Sequence, residues 1–109
     1  MNPKMEKARE LLRSALEGVK AEMQQAGELY QYLVACSATP GVKPADEASK
    51  SLRDIEKELT RMLQEVESGE IDRSHQQNAW LGHVVVDNWP WKHPLTELVL
   101  KAERTYLKI

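Results

Sequence analysis

The chain has 109 residues, a formal net charge of -2 and 29% charged side chains, which suits one small domain with a single core and is too short for two. That balance lacks the basic excess of nucleic-acid binders, so charge points to no polyanionic partner. A lone Cys36 excludes an internal disulfide and suits a reducing cytoplasm, and the absence of an apolar leader core or of about 18 consecutive apolar residues predicts neither export nor a membrane span.

Asn2 and Pro3 supply an N-cap and a first-turn proline. Apolar residues then recur at helical spacing through Met5, Ala8, Leu12, Ala15, Leu16, Val19, Met23, Ala26, Leu29, Tyr30 and Leu33. The spacing predicts a first helix over residues 3–35, which would be about 50 Å long at 1.5 Å per residue and hard for so small a domain to cover. Gly18 and Gly27 are unfavourable inside it and mark either a kink or the close approach of a partner helix, which makes them candidate dimer contacts.

Pro40, Gly41 and Pro44 then break the chain into a loop. A second helix is predicted over 46–68, where Ala48, Leu52, Ile55, Leu59, Met62 and Val66 alternate three and four apart and form a seam suited to the first helix. Gly69 is placed to cap it in a left-handed conformation.

With Asp72 as N-cap, a third helix is expected over 72–88, although the run Val84, Val85, Val86 would also suit a short strand. On a helical wheel Ile71, Leu81, Val84, Val85 and Trp89 share a core face, while Asp72, His75, Gln76, His83 and Asp87 share a solvated one. Pro94 opens a fourth helix over 95–107, with Leu95, Leu98, Val99, Ala102 and Tyr106 inward. Leu100 and Leu107 fall on a separate flank and are candidates for a second buried contact.

All three tryptophans, Trp80, Trp89 and Trp91, fall within twelve residues, and the chain has no Phe. They read as the core of the corner between helices three and four. Trp91, outside both helices, is also a candidate interface anchor, and Trp89 a candidate contact beside it.

No motif fixes a chemistry. Asp72 with His75, and His83 with Asp87, have usable ligand spacings, but the pairs lie about 16 Å apart along one helix and cannot close on one ion. Cys36 has no histidine near it in sequence, and phosphate loops, HExxH and CxxC pairs are absent. Paired carboxylates such as Glu56 with Glu58, or Glu65 with Glu67, point to different faces. No catalytic, cofactor-binding or metal-ligating residue is therefore assigned. Helices three and four could form a helix-turn-helix presenting Lys101, Arg104 and Lys108 to DNA, but a corner with two prolines disfavours it.

The run Asn78, Trp80, Leu81, Gly82, Val84, Trp89, then Thr96, Glu97, Leu98 resembles a segment of small helical proteins of phages and prophages. That resemblance covers about a fifth of the chain and implies an accessory protein that binds a host or phage protein, including inhibitors of host defence and transcription regulators. The expectation is an all-α single domain of four helices, a long antiparallel hairpin plus two shorter C-terminal helices. It is expected to be dimeric, to bind protein in a regulatory or inhibitory role, and to carry no cofactor.

Overall fold

The computed structural model describes residues 2–109. Six helices form among the described residues: α1 (Pro3–Gln25), α2 (Glu28–Cys36), α3 (Pro44–Ser68), α4 (Arg73–Gln77), α5 (Leu81–Asn88) and α6 (Pro94–Leu107). Among the described residues there is no strand, so the valine run is helical. The fold is all-α, and six helices replace the four expected because two of the predicted helices are each broken once.

The first break is at Ala26, whose φ of 47° and ψ of 54° are left-handed. Asn2 starts α1 by accepting the Met5 N–H at 2.9 Å, and the helix runs until Ala26 turns it. Gly27 then caps α2, and the Glu22 carboxylate reaches across the turn to accept the Tyr30 N–H at 3.1 Å, satisfying one of the orphan donors that begin α2. This break resolves the length problem, since the molecule's longest dimension is 45 Å. It also corrects the role of Gly27: Glu22 carboxylate oxygens fill the space its side chain would take, so no partner backbone approaches there.

The seam of α3 is buried along its whole length, with Ala48, Leu52, Ile55, Leu59, Met62 and Val66 between 0 and 2% exposed. At one end Ser37 donates to Glu47, and at the other Arg13 Nη2 lies 2.9 Å from Glu67. Those two ties show α3 running back along α2 and α1. Gly69 ends it at φ 78°.

On its other side α1 carries α6. A Cβ on Gly18 would stand 2.6 Å from Leu95 Cδ1, so the close approach at Gly18 is made by α6 of the same chain. Gly18 is thus an internal packing position, not a dimer contact. With α3 on one flank and α6 on the other, α1 is the central strut of the core.

The second break falls at residues 78–80. The Asn78 N–H closes α4 on the Ser74 and His75 carbonyls, and its side chain donates to the Ser74 carbonyl at 2.9 Å. Helical phase therefore does not carry across from α4 to α5, and the single wheel drawn over 72–88 does not apply.

Ala26 is the one non-glycine with positive φ among the described residues. A left-handed alanine is strained by roughly 1 kcal/mol or more, partly offset by the extra unfolded-state freedom of glycine. Ala26→Gly is expected to raise stability by about 0.5 kcal/mol; a urea midpoint that falls instead would show an unstrained turn.

Candidate functional site

The densest polar cluster lies where α3, α4 and α6 meet. Glu58 and Glu65 are seven residues apart on α3, two turns along the same side. His75 of α4 sits between them, Nε2 hydrogen-bonded to Glu58 and Nδ1 to Glu65. Tyr106 of α6 donates its hydroxyl to Glu65 at 2.8 Å and places the same oxygen 3.0 Å from His75 Nδ1. Glu65 also accepts the Asp72 N–H at 2.8 Å, while Asp72 caps α4 and lies 3.4 Å from Arg61.

The His75 side chain is 5% exposed, which corrects its place on a solvated face. The reason is the break at residues 78–80: α4 is a separate helix, oriented by its own cap and by the two glutamates. His83, on α5, is exposed as expected. Glu58 and Glu65 are also turned inward, with side chains 9% and 11% exposed.

With a carboxyl group hydrogen-bonded at each ring nitrogen, both nitrogens of His75 are engaged within the cluster. Neither is free to reach a metal. The two glutamates address different nitrogens and cannot converge on one ion. Among the described residues, no three His, Cys, Asp or Glu side chains are grouped to hold a metal. A cleft of about 310 Å³ opens beside the knot, lined by Glu58, Arg61, Asp72, Asn78 and Trp80 among others.

Burial pushes the Tyr106 hydroxyl well above the ordinary tyrosine range, reinforced by its bond to Glu65 and the charges of Glu65 and Glu58. A folded-state value above the unfolded one means a stability contribution fully present below the ordinary tyrosine range and lost as pH rises through and beyond it.

A second candidate region is apolar and open. Along α5 and α6, Gly82, Val86, Leu100 and Leu107 line a trough of about 340 Å³, with His83, Asp87 and Glu103 among its polar walls. Leu107 is 43% and Val86 38% exposed. Glu103 caps α5 from the facing helix, both carboxylate oxygens 3.1 Å from the Gly82 N–H. A Cβ at position 82 would stand 2.6 Å from Glu103 Oε1, so a larger residue there would displace that carboxylate. Burial raises the Glu103 pKa against the lowering effect of the Gly82 and Leu81 N–H groups and of His83, and no cation pairs with it among the described residues.

The tryptophans divide. Trp91 is 73% exposed on the corner between α5 and α6, whereas Trp89 is 2% exposed and belongs to the core. Trp89 is therefore withdrawn as a contact residue: its ring faces inward, and its Nε1 has no hydrogen-bond partner. Leu100 and Leu107 lie at or near the surface on the flank their phase predicted, whereas Trp91 stands outside the core that the three tryptophans were expected to form and keeps only the alternative reading of an exposed anchor. No protein-family model matches the chain, and neither a curated protein nor a solved structure is similar to it.

Removing the buried imidazole leaves Glu58 and Glu65 without the partner they share. His75→Gln should cost about 3 to 5 kcal/mol, whereas His83→Gln should stay within about 0.5 kcal/mol; equal losses in denaturant melts would contradict the knot. For Tyr106, ultraviolet titration should show one of the three tyrosines resisting ionisation until the protein unfolds in alkali. Tyr106→Phe should abolish that step and cost about 1.5 to 3 kcal/mol at neutral pH.

Proposed function

We propose that the chain is a small helical protein that acts by binding another protein, in a regulatory or inhibitory role and without catalysing a reaction. The observation that carries this reading is the uncovered trough of Val86, Leu100 and Leu107, because apolar surface on a small soluble domain is costly unless something covers it. Trp91, a residue type enriched among interface hot spots, stands exposed at the corner joining the two trough helices. The hydrogen-bond saturation of His75 supports a structural role for the cluster that most resembles an active site. The resemblance of residues 78–98 to phage and prophage accessory proteins points the same way, and a cytoplasmic setting fits the single exposed Cys36. No helix among the described residues is long and apolar enough to cross a membrane.

Leu107 replaced by a photo-reactive benzoylphenylalanine should, on irradiation in native host cells, give a discrete protein adduct, either with a host protein or with another copy. Burying one leucine is worth about 1.5 to 3 kcal/mol, so Leu100→Glu should lower the adduct yield at least about tenfold. The same probe at exposed Lys20 should give none. Equal labelling at both positions, or none at Leu107, would contradict the reading, and retention by generic duplex DNA would favour a DNA-binding regulator using α6.

A further inference from the structure

Resting on the protein-binding reading, we infer that the trough is filled by α6 of a second copy of this chain, the two α6 helices lying parallel about a two-fold axis. At about 100° per residue along α6, Leu100 and Leu107 fall about 20° apart and form one seam. Glu103 lies about 50° from that seam on the α5 side, and Arg104 about 50° from it on the other, with Lys108 and Lys101 beyond. Glu97 is the one acidic residue on that basic flank, two turns from Arg104 with Lys101 between them.

Across the trough, α5 adds Asp87 and His83 to the Glu103 side. The seam is thus bordered by an acidic wall and a basic one. Glu103 is half-buried with only His83 as a basic neighbour, Arg104 is exposed, and neither makes an ion pair among the described residues. Each has what the other needs, but they point to opposite sides of the same helix and cannot meet within one chain.

A two-fold axis parallel to α6 brings them together. It sets Leu100 and Leu107 against their own counterparts and faces each left flank with a right flank, so Glu103 of one copy meets Arg104 of the other, twice. Lys101 and Lys108 of the second copy then face the side that carries Asp87. An antiparallel pair does the reverse: its axis faces like flank with like, acidic wall against acidic wall and basic against basic. Both arrangements bury the same leucines, so charge selects the parallel one. A closed two-fold pair is also the commonest assembly of identical chains. Gly18 and Gly27, occupied from within the chain, have no part in it.

The test uses light scattering and cysteine coupling on the full chain in a Cys36→Ser background. The parent should be a dimer at micromolar concentration. Arg104→Glu breaks no side-chain hydrogen bond or ion pair among the described residues, so the chain should keep its helical content while dimerisation weakens at least about tenfold. Leu100→Cys and Leu107→Cys should each couple to their own kind on mild oxidation. Coupling only in a mixture of the two would establish the antiparallel pair and overturn the inference. A dimer indifferent to Arg104→Glu, with no coupling at either position, would overturn it too, by moving the interface elsewhere. A parent of single-chain mass throughout would also overturn it, yet leave the protein-binding reading intact if the Leu107 probe still labels a host protein, and sink both if it does not.

Discussion

The ring of His75 held between Glu58 and Glu65 joins α4 to α3, and Tyr106 extends the joint to α6. Burying so polar a cluster is costly, and a well-packed apolar replacement could be as stable. What the knot supplies is position. It clamps the five-residue helix α4, too short to hold itself, onto α3, and through Tyr106 it fixes α6 to both. Two further bonds run from α4 to the same end of α6: Gln76 Nε2 donates to the Tyr106 carbonyl at 2.9 Å, and Arg73 to the Ile109 carbonyl at 2.8 Å. The end of α6 that carries Leu107 is thereby set in place.

The other end of α6 is held differently. Leu95 closes over Gly18 of α1, and His93 caps the helix by accepting the Leu95 N–H at 3.1 Å while its Nε2 lies 3.4 Å from Glu22. Glu22 also caps α2, so one carboxylate ties the break in the first helix to the start of the last. With both ends anchored, and α5 locked to α6 through Glu103 and Gly82, the trough is a fixed feature of the surface.

Much of the architecture was legible in the sequence, because caps and seams are local. Asn2, Pro3, Asp72, Gly69 and Pro94 all stand at the helix ends where their chemistry placed them, and the α3 seam is buried as its spacing required. The breaks were not legible in the same way. Ala26 does not advertise a left-handed turn, and the sequence offered a kink at Gly27 only as one alternative. The break after α4 misled the reading further, since a wheel drawn through it put His75 in water. A signal existed: Glu58 and Glu65 directly precede Leu59 and Val66 of the seam and repeat at seven, so they share the edge of a buried stripe. Pairing them with His75 and Tyr106 needed long-range geometry that no local spacing encodes. Leu100 and Leu107 were placed by helical phase, whereas the exposure of Trp91 and the burial of Trp89 depend on how the corner folds back.

The bridging of Glu58 and Glu65 by His75 is read most directly by nitrogen-15 NMR of the imidazole ring at neutral pH. A ring N–H proton of His75 should lie strongly downfield and exchange slowly with water, as expected for short bonds to buried carboxyl groups. Ring protons that exchange as freely as those of exposed His83 would contradict the bridge.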